Sequence, residues 1–365
     1  MNILYFSVNS KHLRFFSRIL ESGCKGMIVS SGKLWLVSLR SLFSFPNFLY
    51  QAASLRTKDF KAKYGLYIFH PFIYGTNLLL AYWCYIRYSR IISAQYTHIM
   101  VWNSSLFRQS IAVGIAKQYG LIPIVAEAGL LPNRIVVDMQ GANFLNSVPR
   151  TQSFFESYHN PNPLPDSLIP RKPKNAKKFL QTAPITLPEN YIFVPFQVDY
   201  DTQILLFSPW IKNMEMLFEL LERVSRSLRI HFVFKEHPSS KKSYPKLHQK
   251  AEKNPFIHFA NGNTTQMLIE SAQAVITVNS TVGIESLLFQ KRVIVLGDAF
   301  YAIDGIVKEV KDEHTLIDVL TTLSTWKVNH DLIESFLKYL YYDYLIEGNI
   351  ETFNITQVKK RIGCR

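Results

Sequence analysis

Short, nearly unbroken apolar runs recur along the chain. Each is followed by a polar or Gly-containing loop and then by a segment with helical spacing. In the first half, Ile3 to Phe6, His98 to Trp102 (HIMVW) and Ile122 to Ala126 (IPIVA) read as buried strands, with a helical pattern over Ser105 to Tyr119. The second half repeats the scheme more plainly. Strands are predicted at Tyr191–Pro195, Ile230–Phe234, Phe256–Phe259, Ala274–Val278 and Arg292–Leu296. Between them, Trp210, Met214, Leu217, Leu221 and Val224 recur at helical spacing, and further helices are predicted at 244–253, 264–272 and 282–290. Apolar strands that lack polar alternation belong in parallel sheets covered on both faces, which makes this an α/β chain.

The pattern breaks between about Ser147 and Leu187, where seven prolines, with Pro188 just beyond, crowd around the basic run RKPKNAKK at 171–178. That composition suits a connection between domains, and 365 residues suit two of them. The expected organisation is a Rossmann-like domain over 1–150, a Pro-rich basic linker over 151–189, a second Rossmann-like domain over 190–325 and a helical segment over 326–365. Leu332, Phe336, Leu337, Leu340 and Tyr341 predict the last as a helix running from Asp331 towards Arg365 and packing across both domains. The stretch Tyr64 to Ile86 is the most membrane-like, but His70, Pro71, Gly75 and Asn77 interrupt it, so a buried or interfacial segment is expected. Lys11 follows the first apolar residues instead of preceding a long apolar run, which argues against a signal peptide.

Charge narrows the partners. Forty-one Lys and Arg against 27 Asp and Glu leave a formal charge of +14. Such a surplus attracts nucleic acid, sugar-nucleotide phosphates, acidic glycans or an anionic leaflet. No nucleic-acid motif appears and the basic residues are dispersed, so nucleic acid is set aside. The three cysteines, Cys24, Cys84 and Cys364, are widely separated and form no CxxC. Neither a disulfide framework nor a cysteine zinc site is expected, and a reducing cytosol fits. No His/Asp/Cys set has metal-ligand spacing, so no metal is expected.

Candidate chemistry gathers after the strands, where open α/β sheets bind ligands. PFQVDYDTQI follows the strand at 191–195, and even spacing in an extended segment would put Asp199 and Asp201 on one face. A carboxylate pair there suits work on a sugar, with Gln197 close by. In FKEHP, His237 is held extended by its following proline and can donate to a phosphate, with Lys235 adding charge. In VNSTVGIES, Ser280 and Thr281 open a helix whose amides would hold an anion; Gly283 would let a ligand approach, and Glu285 would accept from ribose hydroxyls. Glu127-Ala128-Gly129 and Trp102-Asn103-Ser104 close two strands of the first half, Asn103 being an acceptor-binding candidate.

In that order, VWNSSLFRQ with EAGLLPNRIVVDMQGAN, PFQVDYDTQI, KEHP and NSTVGIESLLFQKRVIVLGDAFY resemble the bacterial capsule polysaccharide synthesis family, its KpsS/LipB-type branch in particular. The likeness spans about residues 98 to 305. It implies a GT-B-like fold, two Rossmann-like parallel-sheet domains facing across a cleft with a C-terminal helix. It also implies transfer of the acidic sugar Kdo from CMP to a lipid or glycan acceptor during capsule synthesis. The alternatives are another nucleotide-sugar donor, or a non-catalytic assembly or export factor. By this resemblance His237, Ser280 and Thr281 hold the CMP phosphate, with Lys235 and Gln197 nearby, and Glu285 holds the ribose. Asp201 is the nucleophile of a retaining double displacement, and Glu127 an acid/base. The CMP-sugar is a substrate, with no cofactor. Other capsule synthesis and export proteins are the expected partners, at the cytoplasmic face of the membrane. The sequence departs from the family pattern in reading AGLLPN without a following Arg, and in placing Tyr200 before Asp201.

Overall fold

The computed structural model describes residues 1–33, 37–65, 70–165, 168, 177–179 and 181–364. The chain divides into two compact units, one of residues 1–148 with 344–365, the other of residues 149–343. The first unit begins β1 (Ile3–Ser7), α1 (Ser10–Glu21), β2 (Gly26–Ser30), α2 (Asn47–Tyr64), α3 (His70–Tyr88) and β3 (His98–Trp102). It continues through α4 (Phe107–Gln118), β4 (Ile122–Ala128) and β5 (Arg134–Asp138). The second unit runs α5 (Gln152–Ser157), β6 (Tyr191–Pro195), α6 (Thr202–Phe207), α7 (Met214–Leu228), β7 (His231–Lys235), α8 (Pro245–Glu252) and β8 (Ile257–Phe259). After these come α9 (Thr265–Glu270), β9 (Ala274–Thr277), α10 (Val282–Leu288), β10 (Arg292–Val295), β11 (Lys308–Glu309), α11 (Glu313–Thr321) and α12 (His330–Lys338). The chain then returns to the first unit with β12 (Ile346–Glu347) and α13 (Ile355–Ile362).

Each unit is an α/β sandwich around a six-stranded sheet. In the second, the order β11-β10-β9-β6-β7-β8 is parallel throughout. Counted from β6, that is 6-5-4-1-2-3, the doubly wound Rossmann order, whose crossovers change direction between β6 and β9. Along β6 the side chains alternate between two cores. Ile192 and Val194 pack towards α7 and α11, whereas Tyr191 and Phe193 pack with Leu268 and Ile269 of α9. Both faces are dry, which is why the strand shows no polar alternation. In the first unit the order is β12-β5-β4-β3-β1-β2; β1 to β4 are parallel, and β5 runs antiparallel to both β4 and β12. Its crossovers reverse between β1 and β3.

Two expectations change here. The tail is not one helix: α12 packs on α5 within the second unit, and α13 follows β12, an edge strand of the first sheet. The Tyr64–Ile86 stretch divides between the end of α2 and α3, its residues 66–69 lying outside the described set. No helix among the described residues is long and apolar enough to cross a membrane. Of the basic run 171–178, only 177 and 178 are described.

The second change concerns the cysteines. Cys24, just after α1, and Cys364, just after α13, form a disulfide with Cα atoms 5.7 Å apart. The 340-residue separation concealed a contact that exists only because α13 packs against α1. Cys364→Ser is expected to lower the melting temperature of the oxidised protein by several degrees, in line with the roughly 2–4 kcal/mol of a typical disulfide, while leaving the fully reduced protein unchanged. Differential scanning fluorimetry with and without reductant checks this.

Candidate active site

The reversal point of the second sheet lies between the carboxyl ends of β6 and β9, and the side chains there lock the two strands together. Gln197 is buried and donates from Nε2 to Asn279 Oδ1 at 3.0 Å, while its Oε1 accepts from Asn279 N at 3.1 Å. Asn279 Nδ2 then donates to the carbonyls of Gln203 (3.0 Å) and Phe207 (2.8 Å). These bonds satisfy polar groups in a dry setting and fix the loop 196–203 over the end of β9.

The loop after β6 is also tied to the loop after β7. Buried Asp199 accepts from Lys242 Nζ at 3.0 Å and from Met214 N at 2.8 Å. Tyr200 accepts at its hydroxyl from Lys241 N at 3.3 Å. Asp199 is therefore a structural anchor. Asp201, two residues on, is exposed and accepts Gln203 N at 2.9 Å, capping α6. The expectation that both carboxylates share a face fails because residues 198–201 form a turn, not an extended segment. Among the described residues no hydrogen bond falls on Asp201 Oδ2.

His237 sits in the loop after β7. Its Nδ1 accepts from Ser239 N at 3.1 Å, which leaves the proton of the neutral ring on Nε2. Burial holds this imidazole below its usual range; the Asp201 carboxylate pulls it back up and Lys178 pushes it further down. At neutral pH His237 is thus an uncharged donor beside a carboxylate. Its neighbour Glu236 organises the loop. Burial pushes that carboxyl up, but bonds from His248 Nε2 (2.8 Å), Lys178 Nζ (2.8 Å) and Asn261 Nδ2 (3.0 Å) outweigh it and hold the pKa at about 2. Lys235 donates to the carbonyls of Asn261 (2.7 Å) and Asn263 (2.6 Å), and burial lowers its pKa. It staples the loop after β8, whereas the sequence reading assigned it to the donor phosphate.

After β9, Ser280 N donates to Thr277 Oγ1 at 3.2 Å and Ser280 Oγ accepts from Val282 N at 3.2 Å, opening α10. Thr281 is the cap residue of that helix and makes no side-chain capping bond. Gly283 does not make room for a ligand: a Cβ there would lie 2.4–2.8 Å from the Tyr301 ring and hydroxyl. Tyr301 is buried and donates to the Ser280 carbonyl. Glu285 is buried in α10, 7% exposed.

In the first unit, Glu127 ends β4 and accepts from Ala128 N at Oε1, 2.9 Å. Gly129 is obligatory, since a Cβ would come within 1.9 Å of the Arg134 carbonyl. Asn103 follows β3 with φ 55°, a left-handed conformation uncommon outside glycine, and its Oδ1 accepts from Ser105 N at 3.0 Å. Sequence reasoning missed His12, which lies in the helix after β1, at the first sheet's own reversal between β1 and β3. It is 7% exposed, stacks on Trp102 with centroids 5.8 Å apart and meets Asn9 Nδ2 at 3.2 Å. Burial lowers its pKa. The available signal was its position, two residues into the helix after the first strand.

Among the described residues, no group of three or more His, Cys, Asp or Glu is arranged to hold a metal ion. The profile of the capsule polysaccharide biosynthesis protein family matches residues 174–350, the span holding β6 to β11 and the loops above. Over that span the chain matches this family. Protein FixF of Sinorhizobium fredii is 36% identical over 254 residues, which is 69% of this chain and 60% of FixF, so the match spans about three-fifths of this curated relative. The chain also aligns with Thermosulfurimonas dismutans KpsC, a beta Kdo 2,7 transferase, over 99% of this chain and 98% of that one. Identity there is 15% and the TM-score 0.48. UDP-GlcNAc 2-epimerase of Methanocaldococcus jannaschii aligns over 94% of this chain and 100% of that one, with 12% identity and a TM-score of 0.41.

Proposed function

We propose that this capsule synthesis protein is a glycosyltransferase that moves Kdo, or a similar acidic sugar, from its CMP derivative to a lipid or glycan acceptor. The observation that carries the reading is the gathering of the loops of Asp201, His237 and Ser280 at the reversal point of a doubly wound sheet, where such folds bind nucleotides. The Nε2–H of His237 and the start of α10 at Ser280 and Thr281 would meet the CMP phosphate, and the surplus of 14 positive charges would draw in an anionic donor and acceptor.

In the retaining form, Asp201 attacks the anomeric carbon of the sugar. The bond to the phosphate oxygen breaks with its electron pair on CMP, whose new charge the His237 donor stabilises. A glycosyl ester on Asp201 results. The acceptor hydroxyl then gives its proton to a base, for which Glu127 is the candidate, and attacks the same carbon to release the Asp201 carboxylate. Two inversions retain configuration. Glu285, in α10, would accept from the ribose hydroxyls, and Asn103 would contact the acceptor. The work would be done at the cytoplasmic face of the membrane, alongside other capsule synthesis and export proteins.

Incubation with CMP-Kdo and a lysophosphatidylglycerol acceptor, followed by mass analysis, should show a product heavier by one or more Kdo residues. Absence of product, together with CMP giving no thermal stabilisation where UDP or GDP does, would move the assignment to another donor. CMP at a hundred times its dissociation constant is expected to stabilise the protein by about 2.7 kcal/mol, a shift of several degrees. No stabilisation by any nucleotide would favour a non-catalytic assembly or export role.

A further inference from the structure

A helix that packs one face into a core normally turns polar residues to water. α3 does not. Ala81, Cys84, Tyr85 and Tyr88 are buried against the first unit's core. On the opposite side, Phe72, Leu79 and Trp83, at spacing i, i+7 and i+11, are 73%, 72% and 46% exposed. Apart from His70 and Thr76, which are exposed, and the buried Asn77, both faces of the helix are mainly apolar; it carries Arg87 as its one full charge among the described residues and is not long and apolar enough to cross a membrane.

The surface extends beyond α3. Tyr82 donates to the Leu42 carbonyl at 2.7 Å, and Phe45 stacks on Tyr82 at 5.3 Å. This brings alongside a 3-10 turn, Leu39–Phe43, whose Leu39 and Phe43 are 75% and 96% exposed. Among the described residues, eleven of the 23 exposed large apolar side chains fall between Leu39 and Trp83. Charge gives the partner. Between Glu21 and Glu127 the sequence holds eleven Lys and Arg and a single acid, Asp59. Lys58, Lys61 and Lys63 cluster at the end of α2, which packs on α3, and Lys63 and Arg87 lie over the rings of Tyr64 and Trp83, each 5.6 Å from the centroid.

We propose that the outer face of α3, with the Leu39–Phe43 turn and the basic end of α2, docks on an anionic lipid bilayer. Aromatic and aliphatic side chains would enter the interfacial region while the lysines meet lipid phosphates, the pairing that holds interfacial helices in place. This gives a surface to the membrane placement proposed above. It is measured without any donor, so its failure is separable from failure of the transfer reading.

The test is co-sedimentation of the full-length protein with vesicles of phosphatidylcholine containing about 30% phosphatidylglycerol, against phosphatidylcholine alone. Binding to the anionic vesicles, weakened by salt, is expected. Phe72→Ser/Leu79→Ser/Trp83→Ser should bind at least about tenfold more weakly, and Lys58→Gln/Lys61→Gln/Lys63→Gln by a similar factor. Neither should shift the melting temperature much, since the replaced side chains face outward. No binding by the native chain, or undiminished binding by both variants, would overturn the proposal. So would a native dimer in light scattering that the serine variant converts to monomer without any native vesicle binding, because the face would then be a contact between copies.

Discussion

Asp201→Ala should abolish transfer, with kcat/KM falling by more than about 10⁴-fold, the scale seen when a covalent nucleophile is removed. The substitution leaves the surrounding scaffold intact. Asp199, which anchors Lys242 and Met214 N, and the Gln197–Asn279 pair do not depend on it. Its structural cost is one helix cap, about 1 kcal/mol. CMP binding should persist, and that contrast separates lost chemistry from lost folding. His237→Ala should act differently, costing roughly 10²–10³-fold through the leaving phosphate. Because burial already holds His237 neutral, donor affinity should not change between pH 7 and 8. A single-turnover assay with mass detection checks both; native rates in either variant would end the proposed mechanism.

The largest expected loss of stability lies one residue before that histidine. Glu236→Ala would strand Lys178, His248 and Asn261 around an empty carboxylate position, at a cost of about 3–5 kcal/mol. For a unit of this size that corresponds to a fall in melting temperature of about 10 °C. The native protein carries the matching pH dependence. The Glu236 carboxyl is held at about 2 against an ordinary 4.5, so its contribution is full above pH 4.5 and disappears as the pH falls towards 2. This is worth about 3 kcal/mol. His237 has the same sign, because a histidine held low in the folded state must charge on acidification, and its contribution is lost as the pH drops below the ordinary 6.5. Acid melting curves of native and Glu236→Gln proteins should converge at low pH. Parallel curves across the whole range would refute the assignment.

The strands of the second sheet were legible because β6, β7, β9 and β10 are buried on both faces and so appear as uninterrupted apolar runs. β2 was not, since at the sheet edge GMIVS keeps only Val29 fully buried. β5 was not predicted as a strand, its short apolar core IVV being bracketed by Arg134 and Asp138. The candidate site followed the same rule. Positions after strands could be found from the pattern, but the roles within each loop could not. Nothing in PFQVDYDTQI distinguishes Asp199 from Asp201 until the turn buries the first against Lys242 and leaves the second exposed. Likewise His237 was evident before its proline, whereas the partners of Glu236 come from sequence positions as distant as 178 and 261.

The return of residues 344–365 to the first unit has a consequence for biosynthesis. Asp138 accepts from the Tyr344 hydroxyl at 2.8 Å, β12 completes the edge of the sheet and α13 covers α1. A ribosome delivers the first 148 residues early, yet their fold lacks these pieces until about 200 further residues have emerged. The second unit can close as soon as it leaves the exit tunnel, so the half made first is the half finished last. Until then the unsatisfied edge of β5 and the aromatic surface of α3 are available together, and a nascent-chain chaperone would find its substrate there.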